Sequence, residues 1–384
     1  MKRLLRRAAL MASWILPVGF VGNIGSLKSA QLVIREPKVL WKLRLDTLSI
    51  GAAGGVRSIE RIALLNSGGI VLLDRTGLQV VVIDRSGAPI RAFARGGQGP
   101  GEFSRAVSFV VMMGDTVVVP DIANGRVNRF LISGKVVDGL ALEPVGLPLW
   151  YGTDQRGTLF EAMRKLQIVN GRGLFRTSIE LRQVSGGGRA TASLNLGARD
   201  SLEQTRFFSP IPSVISFPGD RLLAGSGNER EVRLFSFKGE LLRRLSLPIT
   251  ESPIPASDRE FLLAHLLSNV PPAARARMGD AALNAQGFEQ YYPIFTSMMY
   301  DGGGRVWLQL PATREQLERD SELQIDADHI GSGEWAVIDT VGRPQFRVRM
   351  PSGYVLKAVR FDTLVAATEI ASGEVALAKL LLTK

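Results

Sequence analysis

The chain has 384 residues, of which 45% are hydrophobic, with 41 glycines, 19 prolines and no cysteine. This apolar content excludes a disordered chain and is sufficient for a large core in one big domain or two smaller ones. The absence of cysteine excludes disulfides, thiolate metal sites and a cysteine nucleophile, and two histidines leave little for zinc chemistry.

The formal net charge of +11 is concentrated near the N-terminus. Residues 1–30 contain Lys2, Arg3, Arg6, Arg7 and Lys28 and no acidic residue, so residues 31–384 carry 42 basic and 36 acidic groups, a net charge of +6. A mildly basic body without clustered lysine and arginine does not predict a nucleic-acid-binding surface.

The first 30 residues have the pattern of an export signal. A cationic head, Met1–Arg7, precedes an apolar stretch, Ala8–Gly22, which is shorter than the roughly 20 residues that a membrane-spanning helix needs. We expect cleavage after Ala30, although Lys28 stands where a small residue is preferred, so an uncleaved N-terminal anchor stays open. Either alternative predicts a periplasmic or secreted body that contacts a membrane only through this segment, if at all.

The rest of the chain repeats one β-rich unit. The first copy, residues 59–93, contains four strand-like runs separated by turn residues, and further copies begin near residues 107, 154, 214, 300 and 355. The third copy is long and poorly marked, which leaves seven units as an alternative to six.

A spare strand precedes the first copy, and the last copy lacks one. In residues 39–45, Trp41 and Leu43 alternate with Lys42 and Arg44, the period of a half-buried strand. An N-terminal strand that completes the last copy closes a ring. The sequence therefore predicts an all-β fold: a six-bladed β-propeller of four-stranded antiparallel blades forming a single domain, residues 39–383.

A glycine-rich connection links the first two copies, and we expect structural roles for its residues. The glycines should permit positive φ, Glu102 should accept amide hydrogen bonds or pair with an arginine such as Arg105, and Phe103 should pack between blades. A phosphate-binding loop is the alternative, but it needs a following helix, whereas residues 105–111 indicate a β-strand. The motif residues are Gly97, Gly99, Pro100, Gly101, Glu102, Phe103, Asp121, Asn124 and Arg126.

This motif resembles the linker and strand signature of NHL-type propellers. The layout as a whole, including the Trp41 strand and the run from Trp335 to Met350-Pro351, resembles a family of exported bacterial six-bladed β-propellers. The resemblance implies a fold and a location outside the cytoplasm, and hardly a reaction.

Residues 250–290 interrupt the β pattern between copies four and five. Ser257 and Glu260 have capping-box spacing before a helical run, and Pro271-Pro272 ends that run and can start a second helix through about Ala285. We predict a helical insertion on the propeller. Two alternatives remain open: a lid or partner-binding element over the channel mouth, and a decorated loop that covers apolar surface.

Catalytic and metal motifs are weak in this sequence. His265 on a helix and His329 in a loop are most simply structural or exposed, and an EF-hand counted from Asp326 would need Glu at 337, where Val stands. No nucleophile elbow or carboxylate pair is convincing, so we predict no catalytic residue, metal site or cofactor. Residues just before each innermost strand should meet at the channel mouth and are our ligand-binding candidates: Arg57, Arg105, Tyr151, Arg206 and Tyr292.

Three functions are compatible with these observations. The first is an exported non-catalytic propeller that binds a protein or small molecule as a scaffold. The second is a metal-dependent lactonase- or lyase-like enzyme, which rests on analogy with other six-bladed propellers. The third is NHL-type nucleic-acid binding, against which export and the low charge of the body argue.

Overall fold

The computed structural model describes residues 32–44, 55–104, 111–113, 116–142, 146–169, 172–184, 189–196, 202–203, 206–268, 287–320, 330–369 and 375–383. The predicted signal segment 1–30, the predicted second helix near 271–285, Arg105, Asp326 and His329 lie outside these ranges.

Two short N-terminal strands precede the blades: β1 (Ile34–Arg35) and β2 (Lys38–Arg44). Blade 1 and the connection after it contain β3 (Arg61–Leu64), β4 (Ile70–Asp74), β5 (Gln79–Ile83), β6 (Pro89–Phe93), β7 (Arg95–Gly96) and β8 (Glu102–Phe103). Blade 2 contains β9 (Val111–Met113), β10 (Thr116–Asp121), β11 (Arg126–Leu131) and β12 (Val136–Ala141). Blade 3 contains β13 (Leu147–Thr153), β14 (Leu159–Val169), β15 (Arg172–Gln183) and β16 (Arg189–Leu194), with β17 (Leu202–Glu203) beside β15.

Blade 4 contains β18 (Ser213–Phe217), β19 (Arg221–Gly225), β20 (Glu231–Ser236) and β21 (Leu241–Ser246), and is followed by helix α1 (Ala256–Ser268). Blade 5 contains β22 (Ser297–Tyr300), β23 (Arg305–Pro311), β24 (Gly331–Asp339) and β25 (Pro344–Arg349), with helix α2 (Arg314–Arg319) between β23 and β24. Blade 6 contains β26 (Tyr354–Arg360), β27 (Thr363–Glu369) and β28 (Val375–Leu381). None of the described helices is long and apolar enough to cross a membrane.

The blades form a closed ring, because β2 supplies the fourth strand of blade 6. It pairs antiparallel with β28, from Lys38 opposite Leu381 to Arg44 opposite Ala376. Innermost strands of neighbouring blades lie side by side, including β26 of blade 6 against β3 of blade 1. The predicted six-bladed propeller with an N-terminal closing strand is confirmed, and the seven-bladed alternative is wrong. The third copy is poorly marked in the sequence because β14 and β15 are unusually long.

The core is divided among the interfaces between blades. Each pair of neighbouring blades encloses its own buried apolar cluster. The second and third strands of blade 1, Ile-Val-Leu-Leu-Asp and Gln-Val-Val-Val-Ile, are buried at every position, because a blade covers each face. Outer strands such as β6 and β21 are largely exposed. Continuous apolar runs in the middle of a blade therefore build the ring.

The helical insertion begins differently from the prediction. Helix α1 starts at Ala256, so Ser257 lies inside its first turn and does not cap it. Instead, the Pro255 carbonyl accepts hydrogen bonds from the amides of Asp258 and Arg259. A capping box does open α2, where Thr313 and Gln316 hydrogen-bond reciprocally. The Ser-x-x-Glu spacing misplaces the helix start because Pro255, two residues before Ser257, already directs the chain into the first turn.

Candidate functional site

The glycine-rich connection between blades 1 and 2 is held by one arginine. The Arg126 guanidinium donates to the backbone carbonyls of Gln98 at 2.9 Å, Gly99 at 2.6 Å and Glu102 at 2.7 Å. Glu102 accepts from the Gly99 amide at 2.8 Å and pairs with Arg95 at 2.7 Å, and both contacts lower the pKa of its carboxyl. The arginine partner is therefore Arg95, while Arg105 lies outside the described residues.

The glycines of this connection have different constraints. Gly97 and Gly101 adopt positive φ values of 148° and 74°, as expected. Gly99 does not, and its requirement is steric: a Cβ there would lie 2.9 Å from Glu102 Oε2. Pro100 stands between Gly99 and Gly101, in the turn that precedes β8. The segment passes into β8, which is fully buried at Phe103 between blades 1 and 2.

A buried aspartate fastens the backbone before the innermost strand of blade 2. Asp121 ends β10, is fully buried, and accepts hydrogen bonds from the Ser104 amide at 3.0 Å and the Asn124 side chain at 2.6 Å. Asn124 also donates to the Gly97 carbonyl at 3.0 Å. The motif residues therefore bind one another and the loop that enters blade 2.

The same device recurs in blade 1. Asp74 ends β4, is fully buried, and accepts from the amides of Arg57 at 2.9 Å and Ser58 at 3.0 Å, from the Gly77 amide at 2.9 Å and from the Gln79 side chain at 3.1 Å. Two independent blades thus use a buried carboxylate to fix the segment that precedes the innermost strand. In both blades that carboxylate bonds to backbone amides and neighbouring side-chain amides.

Two of the ligand-binding candidates present exposed side chains on such fixed loops. The Arg57 side chain is exposed while its amide is bound to Asp74. The Arg206 side chain is exposed while its amide donates to Ser209 Oγ at 2.8 Å. These loops enter blades 1 and 4, which stand opposite each other in a ring of six.

Tyr151 lies elsewhere than predicted. It stands within β13 and not before it, is 3% exposed, and belongs to the apolar cluster between blades 2 and 3. Its hydroxyl is hydrogen-bonded to Glu161, whose Oε1 lies 3.3 Å from Arg182 Nη1, and burial raises the pKa of both Tyr151 and Glu161. The β13 register could not be predicted because a bulge between Pro148 and Trp150 shifts it.

Tyr292 belongs to a helical cap on blades 4 and 5. Its ring packs edge-on to Phe208 at 5.4 Å, and its hydroxyl lies 3.5 Å from Asp258 of α1. Burial and the Asp258 carboxylate raise its pKa to about 12. The cap is a buried cluster centred on Leu262 of α1, with residues from both flanking loops and from α2: Phe207, Phe208, Ile254, Tyr292, Ala312, Leu317 and Ile330.

A polar cleft of about 490 Å³ opens between blades 3 and 4. Its buried charged residue is Arg233, which donates to the Asn195 carbonyl at 3.1 Å and pairs with Glu231. Arg244 shares the same carboxylate oxygen, and the two arginines lower the pKa of Glu231. This network joins the outer strands of two blades.

Two cationic residues on innermost strands were not among the predicted site residues: Arg61 of β3 and Lys357 of β26. Arg61 is visible beside Glu60 as one of two charged positions in the otherwise apolar run Ile59–Leu65 of blade 1. Lys357 gives no comparable signal, because its placement depends on a bulge in strand pairing. Among the described residues, no three histidine or acidic side chains come close enough to hold a metal ion.

Neither a protein-family model nor a curated protein matches this sequence. A solved structure from Bacteroides fragilis NCTC 9343, of a protein predicted to be exported, matches with a TM-score of 0.54 and 13% identity over 90% of this chain and 95% of that one. A DUF4221 member from Bacteroides vulgatus has a TM-score of 0.49 and 10% identity over 92% and 100% of the two chains. Virginiamycin B lyase from Staphylococcus aureus has a TM-score of 0.47 and 11% identity over 89% and 99%. The first of these similarities supports the fold, and the chain is a six-bladed β-propeller.

Proposed function

We propose that this protein is exported and acts as a non-catalytic propeller that binds an anionic ligand, or an anionic group of a partner protein, at its channel mouth. The observation that carries this proposal is the fixed backbone beneath Arg57 and Arg206. Their amides are hydrogen-bonded while their side chains are exposed. The backbone on which each guanidinium stands is thus already ordered before a ligand arrives, which lowers the entropic cost of binding.

The chemistry of arginine selects the ligand class. A guanidinium presents a planar fork of donors that matches carboxylate, phosphate and sulfate groups. Arg57 and Arg206 enter opposite blades, so one extended ligand or two anionic groups of a protein loop would contact both. The buried Asp74 and Asp121 support binding over metal-assisted chemistry, because their oxygens already accept hydrogen bonds.

The test is a binding screen with the exported protein. Thermal shift and calorimetry would compare small carboxylates, phosphates, sulfated sugars, neutral sugars and lactones, at constant ionic strength. We expect anionic compounds to bind and R57Q and R206Q each to weaken binding by about tenfold, since a charged hydrogen bond contributes about 1.5–3 kcal/mol. R156Q, an exposed arginine in the turn between β13 and β14, is the matched control.

Two results would contradict the proposal. If only neutral compounds bind, and R57Q and R206Q do not change their affinity, the ligand is not anionic. Metal-dependent turnover of a lactone would instead establish the enzyme.

Export is the second part of the proposal and has its own test. Cleavage after Ala30 would leave Val33 intact, whose carbonyl accepts a hydrogen bond from the Arg347 amide at 2.9 Å. We expect N-terminal sequencing of protein from the cell envelope or medium to begin at Gln31. A start at Met1 would indicate the uncleaved anchor, and recovery from the cytoplasm alone would contradict export.

A further inference from the structure

The charged side chains of the innermost strands are confined to one side of the ring. Across β3, β9, β13, β18, β22 and β26, as the structure describes them, three residues are charged and all three are cations: Arg61, Lys357 and Arg360. They belong to blades 1 and 6, whose innermost strands are neighbours. Because innermost strands surround the central channel of a propeller, its wall is cationic on this side.

Lys357 occupies a β-bulge. Leu356 pairs with Ala366 and Ala358 with Val365, so Lys357 is the extra residue of β26 with no partner in β27. Bulges redirect a side chain away from the alternation of the strand and are common beside functional sites. Lys357 is half-buried, and burial together with the charge of Arg61 lowers the pKa of its amine.

Arg61 has the environment of a residue in a concave wall. Its side chain is exposed to solvent, yet desolvation by the surrounding protein lowers its pKa. The acid that opposes this effect is Glu60, which also lies 3.4 Å from Arg75. One carboxylate therefore faces three cations, Arg61, Arg75 and Lys357.

We propose that Arg61 and Lys357 form an anion-binding site inside the channel, which takes a carboxylate, phosphate or sulfate group of the ligand. This inference rests on the proposed binding function and extends it inward, because Arg57 stands four residues before Arg61 on the same entering segment. The guanidinium supplies the planar fork and the ammonium a point charge. Arg360 has a different role, since it donates to the Leu64 carbonyl at 3.4 Å and so ties blade 6 to blade 1.

Arg61 and Lys357 repel each other in this wall, and Glu60 attracts both of them while it also pairs with Arg75. A bound anion adds negative charge and so reduces the repulsion between the two cations.

The experiment measures binding of inorganic phosphate, sulfate and citrate by calorimetry, with chloride keeping the ionic strength constant. Citrate tests a carboxylate ligand, and the other two anions test phosphate and sulfate groups. We expect K357M and R61Q each to weaken binding of the preferred anion by about tenfold or more, with K357R restoring most of it. The matched controls are K238M in the turn between β20 and β21 and R156Q in the turn between β13 and β14, both exposed and outside blades 1 and 6, and they should leave binding unchanged.

A second readout uses the wild-type protein and does not depend on folding of the variants. Reductive methylation followed by mass spectrometry should modify Lys357 at a lower pH than is usual for a lysine, because its pKa is lowered, and the bound anion should protect Lys357 and leave labelling of Lys238 unchanged. Equal anion binding by wild type, K357M and R61Q, or labelling of Lys357 that no anion changes, would overturn the channel site. If R57Q and R206Q still weaken binding in that case, the proposed mouth function stands. If no compound of the wider screen binds wild type, the proposed function fails as well.

Discussion

Phe103 shows how a single side chain couples the glycine-rich connection to the core of the ring. It is fully buried among residues of blades 1 and 2, including Val71, Val117 and Phe130. We expect Phe103→Ala to lower the free energy of unfolding by about 3–5 kcal/mol, because the cavity lies between two blades that cannot collapse independently. Urea denaturation measures this change.

The control for that prediction is Ile90→Ala in the outer strand β6, where Ile90 is 58% exposed. Ile90→Ala should change the free energy of unfolding by no more than about 0.5 kcal/mol. Equal losses for the two variants would show that Phe103 does not pack as described.

Lys357 provides a second prediction at the residue scale. Its pKa in the folded protein is lowered, so the folded state binds its proton less tightly than the unfolded state, and stability rises with pH through the lowered pKa toward about 10.4, the unfolded value. Near neutral pH the charged lysine therefore destabilises the fold. We expect Lys357→Met to raise Tm near pH 7, with the difference from wild type shrinking at alkaline pH.

The groups that act on Lys357 are Arg61, which repels it, and Glu60, which attracts it. Scanning calorimetry across the pH range tests the prediction, with Lys238→Met as the control. A Tm for Lys357→Met that is lowered at every pH would indicate that the lysine stabilises the wall.

Single residues differ in how far the sequence predicts them. From Leu40 to Arg44 of β2, exposed and half-buried positions alternate as the period-2 pattern predicts, because alternation within one strand is local. The bulge at Lys357 and the contact between Glu161 and Arg182 depend on pairing between strands, which local pattern does not encode. This is why the sequence suggested Arg57 and Arg206 as candidates and gave no signal for Lys357.

At the scale of elements, helix α1 covers apolar surface. Leu262 is fully buried against Phe208 of the loop before blade 4's first strand and Leu317 of helix α2. We expect Leu262→Ala to cost about 2–5 kcal/mol in urea unfolding, and deletion of residues 252–288 to prevent stable folding, because both uncover this cluster. Glu260→Ala, at an exposed position of the same helix, should cost little.

Binding measurements on these variants separate the two interpretations of the insertion. If the insertion only covers apolar surface, Leu262→Ala should lower the free energy of unfolding and leave ligand affinity unchanged. If the deletion variant folds normally and loses binding, the insertion is a lid.

At the scale of the whole molecule, ring closure could be predicted because the sequence near each end of the chain carries a signal for it. A surplus strand before the first repeat and a missing strand in the last are countable in the sequence. The start of helix α1 and the strand register of blade 3 could not be predicted, because Pro255 sets the first and a bulge in β13 sets the second. Trp41 adds a contact across the closure: its ring lies 3.6 Å from the position that a Cβ at Gly87 of blade 1 would occupy.

Closure through β2 makes a prediction that two leucines of the same strand can test. Leu43 packs against the cluster between blades 6 and 1, whereas Leu40 is 50% exposed. We expect Leu43→Ala to lower the free energy of unfolding by about 1–3 kcal/mol and Leu40→Ala by less than about 0.5 kcal/mol. Because loosening β2 uncovers the edge of β28, Leu43→Ala should also increase self-association, measured by light scattering below the unfolding transition. Equal stability and scattering for the two variants would mean that β2 does not hold the ring closed.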